Sequence, residues 1–324
     1  MRLLFAGTPA VAVPALGALL ESEHEVVAVL TRPPAPAGRR RTLRPSPVHE
    51  AATAAGLEVI TATRPHEEPA LTRLRELDLD CAAVVAYGAL LREPALSLPV
   101  HGWINLHFSL LPAWRGAAPV QYAVMAGDEI SGASTFRIEA GLDTGPVFAT
   151  MTERIRPRDT AGDLLDRLAH AGPALLRATL DAVAAGTADP IPQPAEGVSL
   201  APTLTSADGR IDWRHPAAAI DRRIRGLTPA PGAWTRDDRG RYKLGPVEPV
   251  ASATSATNAT TGTGSTAVPS LAPGRVGIDE SGVIVGTGSV PVRLTRIAPP
   301  GKPWMAASDW ARGARHDIGF EVDE

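Results

Sequence analysis

The sequence predicts a doubly wound α/β domain followed by a smaller β-barrel domain. Three observations carry that expectation. The chain of 324 residues is long for one domain, since compact domains run to about 100 to 200 residues. Its first half alternates short, nearly continuous apolar runs with amphipathic stretches, the pattern of parallel strands covered by helices on both faces. A proline-rich break then precedes a set of short strand-like segments.

Taken in order, the first-half strands are expected at Leu3 to Ala6, Val26 to Leu30, Glu58 to Thr61, Ala82 to Tyr87 and Trp103 to His107. In the turn Gly7-Thr8-Pro9, threonine suits a helix cap and proline the first helical position. No G-x-G-x-x-G follows the first strand, which argues against a dinucleotide site. The spacing of Leu164, Leu165, Leu168, Leu175, Leu176, Leu180 and Val183 predicts a long helix ending near Gly186. Pro190-Ile191-Pro192-Gln193-Pro194 favours extended chain. The expected division is therefore a domain over 1–189, a linker over 190–208 and a second domain over 209–324. In that second domain a helix is predicted from Pro216 to Arg225. Strands are predicted at Tyr242 to Leu244, Arg275 to Ile278, Val283 to Val285 and Val292 to Ile297. The Ser/Thr/Ala-rich stretch within 251–270 has almost nothing to bury and reads as a loop inserted between strands.

Composition narrows the function classes. No run approaches the roughly 20 apolar residues of a membrane helix, and the apolar start is too short for a signal peptide before Pro9 interrupts it. The single cysteine, Cys81, permits no internal disulfide and no thiolate metal cluster. A reducing cytoplasm is expected, with Cys81 in the core and no metal. The net charge of −3 excludes a generally basic coat, so any RNA contact must use local patches. One patch is Gly38 to Arg44, where Arg39, Arg40, Arg41 and Arg44 lie among prolines. The other runs from Arg210 to Lys243, with nine basic against four acidic residues. No heptad pattern suggests assembly, and a monomer is expected.

The chemistry concentrates in Trp103-Ile104-Asn105-Leu106-His107 and the Ser109 to Gly116 loop after it. Strand alternation points Asn105 and His107 to one side, at the end of a strand where α/β sheets bind ligands. Downstream, Gly141-Leu142-Asp143-Thr144-Gly145 is a glycine-bracketed turn offering one carboxylate. A neutral amide donor, an imidazole that titrates near neutrality and a carboxylate beside it suit acyl transfer to an amine. No activated nucleophile accompanies them, so direct attack by the amine is the simplest route. Each residue alone also fits a structural role: a turn cap, a core histidine, an Asx turn.

The string Asn105-Leu106-His107-Phe108-Ser109-Leu110-Leu111-Pro112, with Gly116 after it, resembles the N-x-H and S-L-L-P signature of the formyltransferases that use 10-formyltetrahydrofolate. Gly141 to Gly145 resembles their catalytic aspartate loop. Phe5 to Pro9, Pro36 to Arg39, Pro45 to Val48, Val84 to Gly88, Arg115 to Pro119, Ala201-Pro202, Asp208 to Trp213 and Pro299 to Lys302 resemble the branch that acts on charged initiator tRNA. Thr203 stands where that branch usually has lysine.

The resemblance implies a Rossmann-like first domain and an OB-like second domain that holds tRNA. It also implies catalytic roles for Asn105, His107 and Asp143, and a folate cleft at Tyr87, Gly88, Ser109, Leu110, Leu111 and Pro112. The Arg39 to Arg44 loop would enter the tRNA acceptor end. The co-substrate would be 10-formyltetrahydrofolate, and the partner initiator methionyl-tRNA. Two alternatives stay open: the same trio acting on a small amine such as glycinamide ribonucleotide or an amino sugar, and a non-catalytic RNA-binding protein with an OB-like domain.

Overall fold

The computed structural model describes residues 1–37, 42–250, 271–313 and 318–322. Arg39, Arg40 and Arg41, and the 251–270 stretch, lie outside the described residues.

The chain divides into two compact units. The first comprises Met1–Val120, Glu129–Ile155 and Asp163–Thr203, and the second Gln121–Asp128, Arg156–Gly162 and Leu204–Glu324. The first is built on a seven-stranded sheet. Strands β1 (Arg2–Gly7), β2 (Glu25–Thr31), β3 (Glu58–Thr61), β4 (Cys81–Val85) and β5 (Trp103–His107) run parallel, and β6 (Ile130–Arg137) and β7 (Val147–Arg154) antiparallel, in the order β3-β2-β1-β4-β5-β6-β7. The five expected strands run parallel, and β6 and β7 extend the sheet antiparallel at one edge. Strand β6, Ile-Ser-Gly-Ala-Ser-Thr-Phe-Arg, is buried along six positions through small and hydroxylated residues, so it carries no apolar run to betray it. Two of its hydroxyls find partners: Ser134 donates to the Ser109 carbonyl at 2.7 Å, and Thr135 shares a 2.7 Å hydrogen bond with Thr179.

One sheet face carries Leu4, Ala6, Ala28, Leu30, Ala82, Val84 and Trp103 into a core with Ala70 and Leu74 of the helix Ala70–Glu76. Burial of each such leucine or valine contributes about 1.5–3 kcal/mol relative to exposure. On the other face lies the helix Ala161–Ala184, where a side chain added at Gly172 would come within 3.0 Å of Leu106. Thr8 does not cap the first helix as expected. Its hydroxyl donates to the Tyr87 carbonyl at 2.7 Å, tying the β1 and β4 ends together, and the chain enters the helix Val13–Leu20 through a 3-10 turn at Ala10–Ala12.

The second unit is β-rich. Two antiparallel four-stranded sheets form from strands 233–237, 240–244, 296–298 and 305–306, and from 247–249, 292–294, 282–285 and 276–279. Both feed one core with Ile220 and Ile224 of the helix Ala217–Gly226, Trp213, Trp310 and Phe320. The Phe320 ring stacks on Trp213 at 5.8 Å and on Trp310 at 6.2 Å between centroids. On the helix Ala217–Gly226, Arg225 and Asp221, both buried, pair at 2.9 Å, an arrangement that satisfies both charges. The single predicted strand Val292 to Ile297 is two, Val292–Leu294 and Arg296–Ala298, which pair in different sheets.

Among the described residues no helix is long and apolar enough to cross a membrane, and no group of three or more His, Cys, Asp or Glu is placed to hold a metal ion. Cys81 is buried and its thiol is pushed up to about 12 by desolvation, so it stays a protonated core residue.

Candidate active site

The site is assembled at the carboxyl end of β5. Trp103 lies in the core with its indole N–H donating to the Ala95 carbonyl at 3.0 Å, and Asn105 and His107 continue its face toward the strand end. Asn105 pairs with Val84 on β4 and Phe136 on β6, and is half-buried. Among the described residues nothing hydrogen-bonds its side-chain amide. That leaves two N–H donors for a bound molecule.

The His107 side chain is only 6% exposed. Its Nε2 lies 2.9 Å from the Trp114 carbonyl; a carbonyl only accepts, so Nε2 carries the hydrogen. The Nδ1 atom lies 3.8 Å from Oδ2 of Asp143, and the Phe136 ring meets the imidazole edge-on at 6.2 Å. Burial pushes the imidazole below its usual range, while the Asp143 charge and the Trp114 carbonyl oppose that shift. The resting ring is therefore neutral near pH 7, with a lone pair on Nδ1. It takes a proton only when the neighbouring carboxylate can hold the charge.

Asp143 stands at φ 49°, a left-handed conformation, which aspartate tolerates better than most residues. Its Oδ2 accepts the Gly116 N–H at 2.7 Å. Gly116 has φ 126°, and a Cβ there would sit 2.5 Å from the Ala201 carbonyl oxygen; at Gly145 a Cβ would reach within 1.8 Å of the Arg137 oxygen. Both turns require glycine.

The remaining sequence-predicted positions divide. Leu110, Leu111 and Pro112 are half-buried on the loop after β5, and Gly88 is exposed. Tyr87 and Ser109 are buried with their hydroxyls committed, Tyr87 to the Ala62 carbonyl at 2.8 Å and Ser109 to the Ala113 carbonyl at 2.6 Å. They shape the loops rather than present polar groups. Arg44 is exposed on the short strand Thr42–Arg44.

Sequence reasoning missed two features. A depression of about 570 Å³ at Gly88 is lined by Arg32, Arg64, His66, Glu67, Leu90 and Arg92, with Arg64 paired to Glu67 at 3.1 Å. In addition, the proline-rich segment read as linker is bonded into the first unit: Ile191 exchanges two 2.8 Å backbone hydrogen bonds with Val147, and Ala201 bonds to Arg115 and Ala118.

Residues 1–180 match the family described as Formyl transferase, and residues 203–315 match Formyl transferase, C-terminal domain. A methionyl-tRNA formyltransferase of Arthrobacter sp. (strain FB24) is 59% identical over 323 residues, spanning 99% of this chain and 100% of that protein. One from Salinispora arenicola (strain CNS-205) is 56% identical over 319 residues, 98% and 99% of the two chains. The chain belongs to the methionyl-tRNA formyltransferase family. It is a formyl-transferring enzyme. The solved methionyl-tRNA formyltransferase from Clostridium thermocellum has the same fold at TM-score 0.55, with 14% identity across 76% of this chain and 93% of that one.

Proposed function

We propose that this enzyme transfers the formyl group of 10-formyltetrahydrofolate to the free amine of methionyl initiator tRNA in the cytoplasm, acting as a monomer without a metal. The observation that carries the reading is the His107–Asp143 pair at 3.8 Å beside the unengaged amide of Asn105, in a chain aligned nearly end to end with methionyl-tRNA formyltransferases.

The neutral methionyl amine attacks the formyl carbon, forming the new C–N bond and placing negative charge on the formyl oxygen. The Asn105 amide donates to that oxygen. His107 Nδ1 takes the proton released by the amine, and Asp143 holds the resulting imidazolium. As the intermediate collapses, the bond to the folate nitrogen breaks and that nitrogen receives the proton from His107. Each element answers a charge that exists only along the reaction path, which is what accelerates the step.

The folate lies along Gly88 and Leu110 to Pro112 in this reading, with Tyr87 and Ser109 shaping the cleft from behind. The arginine-lined depression beside Gly88 suits the glutamate carboxylates of the co-substrate. The domain over 1–189 is the catalytic one. The one over 209–324 is read as an OB-like barrel for tRNA, supported by two short-stranded sheets around one core. Arg39, Arg40, Arg41 and Arg44 are assigned to acceptor-end phosphates.

The deciding experiment is formyl transfer to charged initiator tRNA beside charged elongator tRNA. Preferential formylation of the initiator is expected. Transfer to a small amine with neither tRNA formylated would overturn the substrate assignment, and no transfer at all would leave only an RNA-binding role.

A further inference from the structure

His107 and Asp143 both depend on loops, and both loops lean on one short stretch of extended chain. The Gln193 side-chain amide donates to the Asp143 carbonyl at 2.7 Å and to the Gly145 carbonyl at 2.8 Å. Its oxygen accepts from the Arg115 guanidinium through Nε at 3.0 Å and Nη2 at 2.7 Å. All of the polar capacity of this one side chain therefore bridges the aspartate turn and the Arg115-Gly116 turn, whose N–H holds the Asp143 carboxylate. Six residues on, the Ser199 hydroxyl accepts the Trp114 N–H and its carbonyl accepts the Arg115 N–H, each at 2.9 Å. Trp114 is the residue whose carbonyl accepts the hydrogen bond from His107 Nε2–H.

We infer that Gln193 is a positioning residue for formyl transfer, fixing Asp143 against His107, and that the 193–201 stretch belongs to the catalytic machinery rather than to an interdomain tether. The physical argument is geometric. Asp143 sits on a glycine-flanked turn in a left-handed conformation, which by itself is soft. Two hydrogen bonds from a single amide to carbonyls two residues apart remove the rotation that would swing the carboxylate away. Proline on either side of Gln193 limits the backbone that presents it. Held this way, the carboxylate stays within 3.8 Å of Nδ1. The groups against the imidazole are Asp143, the Trp114 carbonyl and the Phe136 ring, so the first is the one charge whose distance sets protonation.

The inference rests on the proposed role of Asp143, and the test separates the two. Gln193→Met keeps the side-chain volume and removes every hydrogen bond. Gln193→Glu keeps an acceptor for Arg115 but loses the donors to the aspartate turn. Asp143→Asn is measured in parallel. Both Gln193 variants are expected to lower kcat by on the order of 10- to 100-fold with the KM for tRNA nearly unchanged. The His107 imidazole titration, followed by NMR, should move to lower pH as the carboxylate drifts. A purely structural residue would lower the melting temperature and leave the titration in place. Wild-type turnover and titration in Gln193→Glu, with Asp143→Asn crippled, would overturn the inference alone. Unimpaired Asp143→Asn would overturn the proposed role of Asp143 and the inference with it.

Discussion

Replacing Asp143 by asparagine removes one charge and almost nothing else. The same atom, Oδ2, faces His107 Nδ1 at 3.8 Å and accepts the Gly116 N–H at 2.7 Å. An asparagine oxygen in that place keeps the Gly116 hydrogen bond and the shape of the turn. What is lost is the attraction for an imidazolium formed during the reaction. At an effective dielectric of about 20, unit charges 4 Å apart attract by about 4 kcal/mol. Spreading of the positive charge over the ring and the partial exposure of the carboxylate reduce this to roughly 3 kcal/mol. Since about 1.4 kcal/mol corresponds to tenfold in rate, Asp143→Asn should lower kcat by about 100- to 1,000-fold. The assay is single-turnover formyl transfer to charged initiator tRNA at saturating folate, with unchanged circular dichroism as the fold control. Turnover within fivefold of the wild type would refute the electrostatic role.

Further outcomes follow from the same geometry. Asn105→Ala should slow transfer by about 100- to 1,000-fold, the usual loss when one oxyanion donor is removed, and near-normal turnover would remove Asn105 from the site. Because burial and not an ion pair dominates His107, its NMR titration midpoint should fall below the ordinary value of about 6.5 and fall further in Asp143→Asn. The sign for stability is then set: the unfolded chain binds the proton first, so stability should decline as pH drops below about 6.5. A His107→Asn variant should show a shallower decline in urea midpoint, and an equal slope would contradict the assignment. Replacing Arg39, Arg40 and Arg41 together by alanine should flatten the salt dependence of tRNA binding by up to about three units of slope and leave folate affinity intact. An unchanged slope would assign that run to solvent.

The legible part of this protein is the part whose determinants are local. Strands β1 and β4 announce themselves because a strand covered on both faces needs continuous apolar sequence, as in Leu3 to Ala6 and Cys81 to Val85. Asn105 and His107 were legible as a pair because a strand alternates with period two. Several of the second unit's short strands were legible in the same way, and its helix Ala217–Gly226 by the helical spacing of Ile220 and Ile224. Strand β6 gave a weaker signal, since its buried positions are mostly small or hydroxylated and form no apolar run, and Ser134 and Thr135 are satisfied by Ser109 and Thr179. Thr8 has the sequence of a cap, but the neighbouring Tyr87 carbonyl claims its hydroxyl. Most of all, no pattern in Pro192-Gln193-Pro194 distinguishes a tether from a brace. The sequence by itself determined the family and the α/β class of the first domain, and singled out the side chains proposed to carry the chemistry, because alternation, apolar runs and motif spacing are properties of neighbours along the chain. Tertiary structure alone decided the tautomer of His107, the 3.8 Å separation that couples it to Asp143 and the hold of Gln193 on that turn. Those depend on groups 7 to 78 positions apart, which only the closed fold brings within hydrogen-bonding reach.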